Sequence, residues 1–143
     1  MAAPGAAKGY GGEGDAGKLV LRIVLGVLVL FHGVAKITGG NAFVTGVVTK
    51  AGLPEGLAYL VYVGEVLAPL FVIVGAWTRP AALGIVVNMI VAVLLVGRSS
   101  LFVTNQYGGY GLELEAMFLF SALAVALLGA GRYSVSGADG RWN

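Results

Sequence analysis

The chain contains no cysteine, which excludes disulfides, thiol redox chemistry, iron–sulfur clusters and thiolate metal sites within it. Its single histidine excludes bis-histidine haem ligation from one copy. Charge is also scarce: 11% of the 143 residues are Asp, Glu, Lys or Arg, against about 25% in a soluble domain. A formal net charge of +2, spread along the chain, gives nucleic acid nothing to bind. There is no flavin motif, no nucleotide-binding glycine loop and no metal-ligand cluster, so no metal site is expected. What is abundant is apolar surface. With 58% hydrophobic residues and a mean hydropathy of +0.90, this is an integral membrane protein.

Four stretches approach or match the roughly 20 residues needed to cross a hydrocarbon core: Leu19 to Ile37, Leu57 to Trp77, Ala81 to Val96 and Leu112 to Ala130. The third is short, but Pro80 suits a first helical turn, where a missing N–H loses no helical bond, so that span extends over Pro80 to Arg98. Trp77-Thr78-Arg79-Pro80 then forms a tight turn. In the first external loop, Asn41 precedes Phe43, Val44, Val47 and Val48, an apolar stripe that fits a short helix lying at the interface, ended by Gly52-Leu53-Pro54. The expected fold is an all-α integral membrane four-helix bundle, antiparallel, with that short interfacial helix. Residues 1–18 read as a flexible cytoplasmic tail, 19–134 as the membrane domain and 135–143 as a C-terminal tail. Lys18, the apolar Leu19 to Phe31 and Gly33-Val34-Ala35 mimic a cleaved signal. The apolar pattern continues past Ala35 and the preceding tail is long, which favours an uncleaved first span.

Four spans put both termini on one side with Lys8, Lys18, Arg22, Arg79, Arg132 and Arg141, leaving Lys36, Lys50 and Arg98 on the other. Basic residues favour the cytoplasm, so both termini are expected there, in the inner or plasma membrane.

Glu65 lies inside the second span, where a lone carboxylate costs about 2.5 to 3.5 kcal/mol at mid-membrane, so it needs a partner, a proton or a wet cavity. Helix rise places His32 roughly 8 Å and Glu65 roughly 12 Å below the outer ends of their spans, with Lys36 one turn above His32. Arg98, Glu113 and Glu115 fall at the same surface, and Tyr62 shares the face of Glu65. Pro69 cannot donate to the Glu65 carbonyl, which is left for neighbouring helices or water. The candidate ligand or proton site is therefore His32, Lys36, Tyr62, Glu65 and Glu113, with Arg98 and Glu115 as accessories. Arg22 reads as an interfacial anchor and Asn88 as an interhelical hydrogen bond.

Leu21-Arg22-Ile23-Val24-Leu25-Gly26 leading to Phe31-His32-Gly33-Val34-Ala35-Lys36 resembles the opening helix of the DoxX family of small membrane proteins. The resemblance continues through Gly52-Leu53-Pro54, Gly64-Glu65, Gly75 to Ala82, Gly108-Gly109-Tyr110 and Gly129 to Ser134. Here Gly111-Leu112 separate the aromatic from Glu113, so either Glu113 or Glu115 fills the family's acidic position. The resemblance implies a link to membrane redox systems, some of which pass electrons to quinone.

Three functions fit these residues. One is a quinone-linked subunit of a respiratory or redox complex, with quinone as a diffusible rather than covalently bound cofactor. His32, Lys36 and Tyr62 would donate hydrogen bonds, and Glu65 and Glu113 would relay protons. The second is a scaffold subunit without chemistry, supported by small residues such as Gly26, Gly33, Gly64 and Ala68 that permit close helix approach. The third is a proton-coupled carrier. Expected partners are membrane lipid and other subunits, with a homo-oligomer also compatible and no nucleic acid.

Overall fold

The computed structural model describes residues 11–143 except 138 and 141, and is a helical membrane bundle. Among the described residues there is no strand, only an isolated bridge between Thr104 and Tyr110. The expected tail over residues 1–10 lies outside the described residues, as do Lys8 and Arg141.

Helix α1 runs Gly11–Gly39, beginning upstream of the boundary expected at residue 19. The glycines there are held in a helix by charge: Glu13 complements the positive end of the helix, and Asp15 pairs with Lys18 at 3.6 Å and Arg132 at 3.9 Å. Helix α2, Ala42–Lys50, forms where the Val44/Val47/Val48 stripe places it. Asn41 precedes it but does not cap it. Its amide donates instead to the Ala58 carbonyl at 3.0 Å, tying α2 to the chain that follows.

The second span is a composite: a 3₁₀ turn over Glu55–Leu60, a π turn over Val63–Leu67, and α3 over Ala68–Val74. It ends at Gly75, whose φ of 72° closes the helix, and Trp77 at φ 48° completes the reversal. The turn thus precedes Thr78, where α4, Thr78–Leu95, already begins. Pro80 sits in its first turn as expected, and a 3₁₀ turn over Gly97–Ser100 follows α4. Helix α5 spans Glu113–Leu128.

Among the described residues, three stretches are long and apolar enough to cross a membrane: Gly12–Gly39, Glu55–Val74 and Thr78–Leu95. The 16 residues of α5 extend about 24 Å, short of a hydrocarbon core of about 30 Å. Helices α1, α3, α4 and α5 close a ring in which each packs on the next. Leu25, Val29, Val72, Ile85 and Val125 fill its axis, while Ala68, Ala82, Ala122 and Ala126 keep the backbones close. The outward faces of α4 and α5 are apolar too, with Val87, Ile90, Leu94, Met117, Phe120 and Leu127 exposed, as lipid contact requires.

One end of the bundle is closed by two arginines. Arg22 is 1% exposed, a correction to its reading as an interfacial anchor. Its guanidinium donates to the Val72 and Ile73 carbonyls at 2.8 and 3.0 Å, which α3 leaves unpaired at its end, and to the Tyr133 carbonyl at 2.5 Å. Arg79 does the same for α5, donating to Ala126 and Leu127 at 2.9 and 3.0 Å and to the main-chain oxygen of Asn143 at 2.8 Å. Asn143 is buried and accepts from the Thr78 hydroxyl at 2.7 Å. The segment from Val135 to Asn143, expected to be a tail, is therefore stitched onto the end of α3 and the start of α4.

Candidate functional site

Glu65 occupies the middle of the π turn, and Pro69 supplies the reason for that turn. An α-helix would ask Pro69 for an N–H to the Glu65 carbonyl, which proline lacks. The backbone widens instead, and the Ala68 N–H reaches back five residues to the Val63 carbonyl. The Glu65 carbonyl then lies against Gly33 of α1, where any Cβ would collide with it, so glycine at 33 is what lets the two backbones meet.

The Glu65 carboxylate is buried and fully engaged. Lys36 forms an ion pair and hydrogen bond with Oε2. The Asn88 amide of α4 donates to Oε1 at 3.3 Å. Gly64 makes that contact sterically feasible, since a Cβ there would stand 2.5 Å from the Asn88 Cβ. Tyr62 donates its hydroxyl to the Lys36 carbonyl at 3.2 Å, fastening the π turn to α1. Two neighbouring helices, α1 and α4, thus supply the donors for one carboxylate, which offsets the cost of holding it in an apolar bundle.

A cavity of about 890 Å³ opens beside this group. Its polar wall is His32, Lys36, Glu65, Asn88 and Glu115. Apart from Ser100 the rest is mostly apolar, including the Phe43/Val44/Val47/Val48 face of α2 and Leu83, Val87, Val91 and Leu95 of α4. The stripe expected to rest on the membrane interface therefore roofs a cavity. A volume of this size suits an organic ligand, and one polar wall facing apolar surroundings suits an amphiphile.

Of the candidate residues, the fold brings Lys36, Tyr62 and Glu65 into direct contact, with His32 on the same cavity wall. His32 does not reach Glu65. Its ring meets Phe118 of α5 edge to face, centroids 5.6 Å apart, and no hydrogen bond joins it to the carboxylate among the described residues. Lys36, one turn further out, takes that place because its longer stem spans the gap. Glu113 is not at the cavity: its carboxylate lies over Gly109, at the exposed loop where the Asn105 side chain accepts from the Tyr107 and Gly109 amides at 3.0 and 2.9 Å. Glu115, three residues before Phe118 on the same face of α5, is the carboxylate that lines the cavity. Arg98 is exposed, beyond the end of α4.

A family model described as DoxX matches residues 17–98, over half of the chain. The chain belongs to the DoxX family. Every residue touching the Glu65 carboxylate, and His32 and Tyr62 besides, lies within the matched stretch of this DoxX protein, whereas Glu113 and Glu115 lie beyond it. A curated relative from Bacillus subtilis (strain 168), "Putative oxidoreductase CatD", is 25% identical over 116 residues, 81% of each chain. No solved structure matches the chain.

Two site residues were ranked too low from sequence: Asn88 was read only as an interhelical hydrogen bond, which it does make, and Glu115 only as an accessory. Asn88 carries a signal in retrospect, because an amide near mid-span requires a hydrogen-bond partner and Glu65 is the nearest unmet acceptor. Glu115 is marked by its spacing from Phe118, which only a known helix face makes legible. The glycines that favoured a scaffold are consumed inside the chain: Gly26 against Ile73 and Pro69, Gly33 against Glu65, Gly64 against Asn88.

Proposed function

We propose that this DoxX protein is the membrane subunit of a redox assembly and that its cavity receives a quinone-type headgroup. The carrying observation is the hydrogen-bonded group Lys36–Glu65–Asn88, with His32 and Glu115 beside it, in a mostly apolar cavity of about 890 Å³. A quinone carbonyl would accept from the remaining Lys36 N–H groups or from His32, and its apolar tail would lie along α2 and α4. Electrons would come from a partner subunit, in keeping with a chain that has no cysteine and no cofactor motif.

In this reading α5, extended by the apolar Gly129 and Ala130, is a fourth span in a plasma or inner membrane. The arginine-closed end faces the cytoplasm with both termini, and the cavity lies in the outer half. Reporter fusions at each terminus test that orientation. Calorimetric titration of the purified protein in nanodiscs with a decyl-substituted benzoquinone tests the ligand. Saturable binding that Glu65→Gln weakens at least about tenfold is expected for loss of a charged hydrogen-bonding group. No binding, or binding indifferent to Glu65→Gln, would refute the site.

A further inference from the structure

Glu115 lines the cavity with Lys36, yet among the described residues its carboxylate has no hydrogen bond or ion pair. Two contacts fix how α5 runs against α1. His32 meets Phe118, and Gly131, just past α5, lies 2.7 Å from Asp15 and 3.1 Å from the Lys18 stem at the position its Cβ would take. The helices are therefore antiparallel, and stepping outward from the His32–Phe118 contact brings Lys36 level with Leu114. Glu115 is then about 1.5 Å from Lys36 along the axis. It shares the Phe118 face, as Lys36 shares the His32 face. One ammonium on a flexible four-carbon stem, paired with Glu65, thus lies level with a second carboxylate carried by another helix, Glu115.

We infer that Glu115 is a second station for Lys36, and that the two stations let the cavity bind two redox forms of one headgroup. This rests on the quinone-linked reading above. With Lys36 on Glu65, the wall presents donors: the other ammonium N–H groups and His32. A quinone, whose carbonyls only accept, fits that face. With Lys36 on Glu115, the Glu65 carboxylate keeps the Asn88 amide and turns an open oxygen to the cavity. A hydroquinone, whose hydroxyls donate, fits this second face. The cation passes from one carboxylate to the other, so neither face leaves an isolated ammonium in an apolar site. His32 is the other titratable group on the cavity wall, and Tyr62 is occupied by the α1 backbone. Glu115 is thus a specificity-determining residue for the reduced form.

The experiment compares a decyl-substituted benzoquinone with its hydroquinone, titrated anaerobically into the full chain in nanodiscs, with and without Glu115→Gln. The inference expects the substitution to weaken the hydroquinone by about tenfold, the scale of one charge-assisted hydrogen bond, and to leave the quinone unchanged. Equal weakening of both, or of neither, overturns it while the quinone-linked reading stands. Failure of both compounds to bind the unaltered protein overturns that reading and this inference together. A ligand-free measurement bears on the stations alone: thermal unfolding of Glu65→Gln, Glu115→Gln and the double substitution. The double variant should lose more than the sum of the singles, because only there is Lys36 without a carboxylate. Additive losses overturn the two-station arrangement.

Discussion

The two ends of this bundle handle buried charge in opposite ways. At one end Arg22 and Arg79 are surrounded by carbonyls that helices α3 and α5 leave unpaired and by the segment ending at Asn143. There the arginines complete the backbone. At the other end Lys36 and Glu65 neutralise each other beside a cavity, and His32 and Glu115 stand on its wall without polar partners among the described residues. Charge that serves packing is spent on main-chain carbonyls, apart from the buried Arg22 Nε, which has no partner among the described residues. Charge available to a ligand is paired but left with donors and acceptors unspent.

Substitutions can break or sharpen this contrast. The largest effect is expected from Arg22→Met, which strands the Val72 and Ile73 carbonyls in the core. A loss of about 3 kcal/mol or more in unfolding free energy follows from unsatisfied buried groups, read by thermal unfolding in detergent. Were Arg22→Met harmless, the closed end would not be structural. Next comes Gly64→Leu, whose side chain must displace Asn88. Overpacking of about 1 to 3 kcal/mol is expected, together with loss of ligand binding, since the π turn and α4 are forced apart. Lys36→Met should cost about 2 kcal/mol or less of stability, because the cavity admits solvent or ligand to the carboxylate, and should weaken quinone binding more than it lowers the unfolding temperature. A loss of stability equal to that of Arg22→Met would erase the distinction between the ends. Smallest is Glu113→Gln, on the exposed loop side of α5. It should stay within about 0.5 kcal/mol and leave binding unchanged.

Much of this was legible in the sequence because membrane constraints are severe. Apolar runs located the bundle helices to within a few residues except at the start of α1, and the Val44/Val47/Val48 spacing located α2. The cost of an intramembrane carboxylate singled out Glu65, and helix rise brought Lys36 to its level. What failed was reach and facing. Depth alone made His32 and Lys36 equivalent partners, whereas stem length selects Lys36 and an aromatic edge takes His32. Depth also made Glu113 and Glu115 interchangeable, although two residues on a helix differ by about 200° in direction. Arg22 was misread because its partners are main-chain carbonyls, which every sequence has and none advertises.

The π turn at Glu65 has a consequence for how the second span is counted. A helix that inserts an extra residue into one turn shifts phase by about 100° at that point. Positions before Val63 and after Leu67 that would share a stripe on a uniform helix therefore look in different directions. The outer part of the span can turn Ala58 and Val61 toward α2 and the cavity, while the inner part keeps Ala68 and Val72 on the bundle axis. Deleting one residue between Val63 and Leu67 would remove that phase shift and swing the N-terminal part of the span by about a quarter turn relative to α3. A single-residue insertion, stabilised by Pro69, thus lets one short span face two different interiors.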